Sequence, residues 1–451
     1  MWLGGILVGL AAIFFSEAAD AAYGLFKRLL AISPYVPLLL TPAMFALLAW
    51  LTRGVMRPTR GSGIPQVIAA MGVDDASFRQ RLLSLPVAAG KMVLTLMALV
   101  GGAAVGREGP TVHVGAGIMY WLGGRFGFSD PKQISRFVLA GGGAGIAAAF
   151  NTPLAGVVFA IEELAGTFEH RFSGIILTAV IFAGVVSLGI LGDYSYFGIV
   201  DTDLPLGPAW IAVVACAVCG GIGGGLFSRL IILSDHGPLA KLAALRRRAP
   251  VSFAFACGLL LAILGVTTGS VIYGTGYEQA QGLIDTTHSA AASFGLAKLA
   301  ANLLSQWAGL PGGIFSPALA VGAGMGHTLS AIVTSAPAAA VVLLGMAAFL
   351  SGVTQTPITA AVISLELTNN HSMVISIMAV CLLSRAISSL VCPVPVYRAL
   401  ANGIIAEYEQ QRLGDEVFDL ASEEASAGEV VVDPSDEIAP PPRDDRRGEI
   451  R

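Results

Sequence analysis

The stretch "AVGREGPTVHVGAG" (residues 104–117) decides how this chain is interpreted, because it places two charges inside apolar sequence. Arg107 and Glu108 stand side by side, framed by glycines and followed by a proline. The nearest other charged residues are Lys91 and Arg125. A carboxylate within a membrane costs free energy unless it is neutralised, paired or solvated, so Glu108 calls for a specific explanation.

The rest of the chain has the composition of a membrane protein. Of its 451 residues, 55% are hydrophobic and 12% are charged, which is about half the charged fraction of a typical soluble domain. The segment from Leu299 to Leu365 contains no Asp, Glu, Lys or Arg, but glycine and proline interrupt it repeatedly. Helix breaks within a membrane are tolerated where they line a cavity or are buried in protein. We therefore predict an all-α polytopic membrane protein of tilted, broken helices.

An internal repeat organises the chain. "GREGPTVHVGAG" begins at Gly106 and "GIFSPALAVGAG" begins 207 residues later at Gly313, and both fit the pattern G-x-x-x-P-x-x-x-V-G-A-G. Further along, "FNTPLAGVVFAIEEL" and "TQTPITAAVISLELT" place Glu162 and Glu366 nine residues after a proline. Matched landmarks in matched order predict two homologous halves. Repeats with broken helices at corresponding positions are typical of transporters that bind their substrate between the halves.

These landmarks divide the chain into three parts. We predict a first membrane half at residues 1–200, a second at residues 208–406, and a C-terminal tail at residues 407–451. The tail holds 14 acidic and 5 basic residues. Because it is acidic, contains prolines and is poor in aromatic residues, we expect it to be disordered, and a solvated terminus without a specific role is the simpler interpretation.

Three glycine–proline segments predict loops that enter helices: "GSGIP" (61–65), "GREGP" (106–110) and "GGIFSP" (312–317). Proline is favoured in the first helical turn, and glycine lets the backbone turn tightly and approach a ligand. The start of a helix exposes unpaired N–H donors and the positive end of the helix dipole, which together suit an anion. Ser62, or Ser316, can add a hydroxyl donor. Converging starts would replace the hydration shell of an anion without a buried cation.

Two acids are candidates for proton transfer. Glu108 lies within a helix start, where its ionised carboxylate can occupy the position of an anion and its protonated form can vacate it. The alternative is that Glu108 only pairs with Arg107. Glu163 lies at the end of an uncharged run and is a candidate for a second proton site. The alternative for Glu163 is an acid at a helix end that faces water.

The three signature segments together resemble those of the ClC chloride channel and transporter family, over about residues 1–410. The resemblance implies a homodimer in which each subunit has its own anion pathway and two inverted halves of tilted helices. It places Ser62, with Gly63 beside it, at the central anion site. The N–H groups of Ile314 and Phe315 would bind the same anion, and Tyr397 would be the pore tyrosine.

The resemblance also implies roles for the charged residues. Glu108 would be the external gate and external proton acceptor, and Glu163 the internal glutamate that passes protons to the cytoplasm. Lys91, sixteen residues before Arg107, would be a buried cation near the pathway. We expect Arg107 itself to support the structure and the local potential, because an exposed cation could bind anions too tightly for turnover.

The function that follows is a secondary active chloride/proton antiporter. The alternative is a passive, gated chloride channel of the same fold; Glu163 favours exchange, since channel members of the family commonly carry an uncharged residue there. The resemblance further implies that Ser62 favours chloride over nitrate, since nitrate-selective members of the family typically carry a proline there. The tail is too short for the paired regulatory nucleotide-binding domains of eukaryotic relatives, so we expect a bacterial-type protein of the cell membrane.

Other classes of protein are disfavoured. An intramembrane enzyme would need a catalytic motif, but the six histidines are scattered, without H-E-x-x-H or G-x-S-x-G. A cation carrier would be expected to show helix C-ends or acid clusters at its site, whereas the signals here are helix starts. We expect chloride, protons, a second copy of the chain and the lipid bilayer as partners, no nucleic acid, and neither a metal nor another cofactor.

Overall fold

The computed structural model describes residues 1–54, 56–166, 173–192, 195–233, 240–285 and 291–428. The described chain is built of α-helices joined by short connections. In chain order they are α1 (Trp2–Ile32), α2 (Pro37–Leu51), α3 (Ile64–Gly72), α4 (Ala76–Leu83), α5 (Leu85–Val100), α6 (Glu108–Arg125), α7 (Pro131–Phe150), α8 (Pro153–Phe159), α9 (Ser173–Leu191), α10 (Ile211–Leu233), α11 (Ala240–Arg248), α12 (Pro250–Thr267), α13 (Tyr277–Ile284), α14 (Phe294–Trp307), α15 (Phe315–Ser330), α16 (Ala338–Thr354), α17 (Pro357–Thr368), α18 (Val374–Val391) and α19 (Val396–Gly428).

Several of these helices suit a membrane by length and composition. Within the described residues, six helical segments are long and apolar enough to cross a bilayer. They are Trp2–Ile32, Ala76–Val100, Gly174–Leu191, Pro208–Leu233, Pro250–Thr267 and Val374–Val391. Shorter apolar helices, such as α16 and α17, lie between them in the sequence. This mixture of long and short helices agrees with the broken-helix pattern that the sequence predicts.

Glycine brings the helices of each half into close contact. Gly115 of α6 lies against the backbone of Gly141 in α7, and Gly322 of α15 lies against the backbone of Gly345 in α16. A side chain at any of these positions would collide with the carbonyl of the facing helix. Small residues at such crossings allow membrane helices to pack backbone to backbone.

The predicted repeat is visible in the order of the helices. Helices α6 to α9 are followed by the corresponding series α15 to α18, whose starts lie 201 to 207 residues later. The predicted halves 1–200 and 208–406 do not form separate compact units, because residues Met1–Ile405 cluster as one. The halves therefore share one core, which is where a site between them would lie.

The second compact unit is Ala406–Arg451. Helix α19 continues to Gly428, so the structure has helix over residues 407–428, where composition predicts disorder. This segment is rich in Glu, Gln, Leu and Ala, which are strong helix formers and offset its low hydrophobicity. Residues 429–451, the rest of the predicted tail, lie outside the described residues.

Candidate functional site

The starts of α6 and α15 are joined by two backbone hydrogen bonds. The N–H of Gly106 donates to the carbonyl of Gly313, and the N–H of Gly313 donates to the carbonyl of Gly106, each at 2.7 Å. The glycines begin the two repeated motifs, so the repeat meets itself at this point. The first turns of α6 and α15, which carry Glu108 and Phe315, are thereby held side by side.

The third glycine segment joins the same place. Gly63 caps α3 with a φ of 106°, a conformation that favours glycine. A Cβ on Gly63 would lie 2.8 Å from both the carbonyl oxygen of Gly109 and the Cβ of His113. The N–H of Gly312 also donates to the carbonyl of Gly61 at 3.1 Å. The structure thus brings together the three segments that the sequence singles out.

Hydroxyl groups around this meeting point have no hydrogen-bond partner among the described residues. Both the Ser62 hydroxyl and the Tyr397 phenol are buried and have no hydrogen-bond partner among the described residues. The ring of Tyr397 stacks on that of Phe315, with centroids 6.1 Å apart and planes 9° from parallel. Buried unpaired donors are costly, so a pair of them beside a helix start indicates a place for an acceptor such as an anion.

Glu108 occupies the first turn of α6 and is 0% exposed. The Ser316 hydroxyl donates to its Oε1, whereas its Oε2 is buried without a partner among the described residues. Ser316 belongs to the first turn of α15. The gating candidate of one half is therefore held by a side chain of the other half, and only one of its two oxygens is satisfied.

Arg107 is oriented away from Glu108, toward α1. Its Nη1 lies 2.7 Å from Oδ2 of Asp20 and donates to the carbonyl of Ser16 at 2.9 Å. Arg107 and Glu108 interact electrostatically as neighbours in the chain. The salt bridge of Arg107, however, is made with Asp20. The alternative interpretation, in which Glu108 is only the ion-pair partner of Arg107, does not fit this geometry.

Lys91 supports the loop that carries Ser62. Its Nζ is fully buried and donates to the carbonyls of Thr59 and Gly61, each at 2.7 Å, and to that of Arg60 at 3.3 Å. Three carbonyls from consecutive residues converge on one ammonium group. The lysine therefore fixes the backbone immediately before Ser62.

The sequence reasoning did not single out a second lysine of the same kind. Lys298 is also fully buried, and its Nζ donates to the carbonyls of Ile272, Tyr273 and Gly274 at 2.8, 3.3 and 2.7 Å. It lies 207 residues after Lys91, the same separation as Gly106 and Gly313. That separation is the signal that could have identified it.

The adjacent acids Glu162 and Glu163 have different environments. The carboxylate of Glu162 accepts from the backbone N–H groups of Ile358 and Thr359, at 3.2 and 2.6 Å, and so caps the start of α17. Glu163 is 1% exposed and accepts from the Thr356 hydroxyl at 3.2 Å. Burial excludes the alternative that Glu163 is a helix-end acid in water.

A cavity of about 370 Å³ adjoins Glu163. Its lining includes Glu162, Gln355, Arg385 and Arg398. The guanidinium of Arg398 lies against Gly166, at the end of the π-helical turn that carries both glutamates. The Glu163 carboxyl group therefore borders a cavity whose lining also includes a second glutamate and two arginines.

Glu366 mirrors Glu162. Its carboxylate accepts from the backbone N–H groups of Leu154 and Ala155, at 3.2 and 2.6 Å, at the start of α8. Each half therefore caps a short helix of the other half with the acid that follows its own proline by nine residues. The sequence pairs Glu162 with Glu366 by spacing, but the crossed capping is evident only in three dimensions.

Comparison with known proteins places this geometry in context. Residues 44–389 match a family model described as voltage gated chloride channel. The H(+)/Cl(-) exchange transporter ClcA of Yersinia pestis bv. Antiqua (strain Angola) is 28% identical over 437 residues, which cover 90% of this chain and 87% of that protein.

Solved structures share the fold. A CLC-type fluoride/proton antiporter superposes with a TM-score of 0.75 at 23% identity, covering 88% of this chain and 96% of its own. A slow cyanobacterial Cl-/H+ antiporter superposes equally well at 23% identity, covering 90% and 97%. The predicted all-α fold, with two inverted halves of broken helices, is confirmed by these likenesses.

Proposed function

Since the chain belongs to the voltage gated chloride channel family, we propose that it is a secondary active transporter that exchanges chloride for protons across the membrane. The observation that carries the proposal is Glu108, a buried carboxyl group set among converging helix starts and unpaired hydroxyls. An ionised carboxylate and a chloride ion compete for such donors. The names of two of the three relatives, an H(+)/Cl(-) exchange transporter and a Cl-/H+ antiporter, support the same assignment.

The anion side of the mechanism follows from the donors. The hydroxyls of Ser62 and Tyr397 and the first N–H groups of α15, at Ile314 and Phe315, have no acceptor within their own helix or loop. We assign these groups, with the backbone of Gly63, to the central chloride ion. Protonation removes the charge of Glu108. The neutral carboxyl group then leaves the anion position, and chloride can pass.

The proton side requires a second acid. Glu163 is buried beside the cavity that holds Arg385 and Arg398, so it can take a proton from water on that side. Tyr397 stacks on Phe315 in the first turn of α15, the turn whose Ser316 donates to Glu108. Transfer from Glu163 to Glu108 past Tyr397 would complete the route. Chloride and the proton then share Glu108 but enter by different paths.

The test is a flux measurement on the full chain in proteoliposomes. A chloride gradient is imposed without a pH gradient, and chloride and internal pH are recorded together. Exchange predicts that protons move against the chloride gradient until a pH difference has built up. Chloride that runs down its gradient with no proton movement would overturn the proposal and identify a passive channel.

We further assign the protein to the cell membrane of a bacterium as a homodimer with one pathway per subunit. Aliphatic side chains on α9 and α18 are exposed, including Ile181, Val185, Ile375 and Leu382, and such faces need lipid or a second copy of the chain. The role is transport rather than catalysis. Light scattering of the purified protein, corrected for detergent, tests the dimer against a monomer.

A further inference from the structure

Ser316 lies in the first turn of α15 and marks a difference between the two halves. In the pattern shared by "GREGPTVHVGAG" and "GIFSPALAVGAG", Ser316 corresponds to Gly109, and Phe315 corresponds to Glu108. Gly109 leaves no room for a side chain, because a Cβ there would lie 2.7 Å from the carbonyl oxygen of Ser62. The carboxyl group of the first half and the hydroxyl group of the second half therefore have no counterparts in the other half.

The hydroxyl of Ser316 has one acceptor among the described residues, which is Oε1 of Glu108. A serine within a helix can donate to the carbonyl four residues earlier, as Ser364 does to Ala360. Four residues before Ser316 is Gly312, which precedes α15, and no bond joins the two. Because Ser316 is only 4% exposed, its hydroxyl is directed to the other half and not to water or to its own helix.

The carboxyl group of Glu108 lies against the backbone that joins the two helix starts. A Cβ on Gly106 would collide with its Oε2, and a Cβ on Gly313 would lie 3.5 Å from the same oxygen. These two glycines form the bridge between the starts of α6 and α15. The one side-chain hydrogen bond that the carboxyl group accepts within the described chain comes from Ser316. Departure of the carboxyl group would therefore vacate a space beside the Ser316 hydroxyl.

This vacated space suits an anion. A buried donor without a partner is costly, and a serine hydroxyl can rotate toward a new acceptor. The space adjoins the starts of α6 and α15, where unpaired N–H groups and the helix dipoles favour negative charge. Chloride is the anion that the proposed function brings there, so one hydroxyl can serve the carboxylate and the chloride ion in turn.

We propose that Ser316 is the side-chain donor of the anion position that Glu108 occupies. It donates to the ionised carboxylate while Glu108 is in place, and it donates to chloride once Glu108 has taken up a proton and left. Ser316 then has the role at this position that Ser62 has at the central one. This inference rests on the proposed function.

Other titratable groups around Glu108 also bear on a test by pH. Arg107, Tyr196 and Tyr397 interact electrostatically with Glu108, and Asp20 pairs with Arg107. Between about pH 4 and 8 the arginine is charged and both phenols are neutral. An effect of Asp20 would remain when Glu108 is replaced by glutamine, because Asp20 acts on Arg107. A Glu108→Gln background therefore separates the two carboxyl groups.

The first test measures chloride binding where no carboxylate competes for the position. Isothermal titration calorimetry on the purified full chain compares Glu108→Gln with the double variant Glu108→Gln/Ser316→Ala. Loss of one hydrogen bond to the anion should weaken chloride binding about threefold to tenfold. Ser364→Ala in the same background is the matched control, because the Ser364 hydroxyl donates within its own helix, and it should leave the affinity unchanged. Equal affinity with and without the Ser316 hydroxyl overturns the inference.

The second test measures chloride exchange in proteoliposomes over a series of pH values that are equal on both sides. A donor to a carboxylate favours its ionised form, so in Ser316→Ala the Glu108 carboxylate should take up its proton at higher pH. The pH of half-maximal exchange should rise by about half to one unit, the size expected for one hydrogen bond. In a Glu108→Gln background, Ser316→Ala should not alter the pH dependence.

An unshifted profile for Ser316→Ala, or an equal shift in the Glu108→Gln background, overturns the inference. Ser364→Ala should keep the profile of the unmodified protein. Absence of proton coupling in the unmodified protein would instead overturn the proposed function, and the comparison of chloride affinities would still decide whether Ser316 binds the anion.

Discussion

The starts of α6 and α15 are built alike and differ in what they present. Both follow a glycine of the Gly106–Gly313 bridge, and both carry a proline in the first turn. The start of α6 presents the carboxyl group of Glu108. The start of α15 presents backbone N–H groups and the Ser316 hydroxyl, which donates to that carboxyl group. The duplication supplies a symmetric frame, and we propose that the single acid on one side lets a proton and an anion compete for the site.

Removing the carboxyl group of Glu108 should have the largest effect on transport. Glu108→Gln keeps the shape of the side chain but can neither ionise nor exchange a proton, so the two helix starts become alike in charge. We expect proton movement driven by a chloride gradient to fall to that of protein-free vesicles, while chloride flux persists and loses its dependence on pH. Retained proton movement in this variant would contradict the role of Glu108.

The adjacent acids of the π-helical turn sharpen the comparison. Glu163→Gln should stop proton movement and leave chloride flux, because it alters the buried acid beside the cavity and not the anion donors. Glu162→Gln is the matched control, since Glu162 caps α17. Proteoliposome recordings should show coupling in the control and none in Glu163→Gln. Proton coupling lost in Glu162→Gln and kept in Glu163→Gln would mean that Glu162, and not Glu163, is the internal proton site.

The two buried lysines offer a third comparison. Lys91→Met leaves three carbonyls before Ser62 without their donor, and we expect chloride flux per protein to fall roughly fivefold, as for about 1 kcal/mol of lost positioning. Lys298→Met frees carbonyls before α13 instead. We expect Lys298→Met to lower chloride flux less than Lys91→Met does. Equal losses in the two variants would mean that the lysines act on overall stability.

The crossed caps should give the smallest effect on transport. Glu366→Gln weakens hydrogen bonds to the first N–H groups of α8, as Glu162→Gln does for α17. Loss of such a cap costs about 0.5–2 kcal/mol. We expect both variants to lower the thermal unfolding temperature in detergent by similar amounts and to keep the ratio of chloride to protons. A changed ratio for Glu366→Gln would place Glu366 in the proton route.

Much of this site could be predicted from local pattern. The glycine–proline segments correctly predicted the starts of α3, α6 and α15, because a helix start depends on neighbours in the sequence. The roles of Glu108 and Ser62 stay predictions. The crossed capping by Glu162 and Glu366 depends on how the two halves pack together. The helix over residues 407–428 follows from helix propensity, which net charge and aromatic content do not reveal.

The most direct test of the central claim is whether chloride binding displaces an ionised Glu108. Chloride is added to the purified protein in weakly buffered solution near neutral pH, and proton uptake is followed with a pH indicator. The account predicts that chloride binding takes up protons in the unmodified protein and takes up none in Glu108→Gln, which still binds chloride. Chloride binding without proton uptake in the unmodified protein, or equal uptake in both proteins, would contradict it.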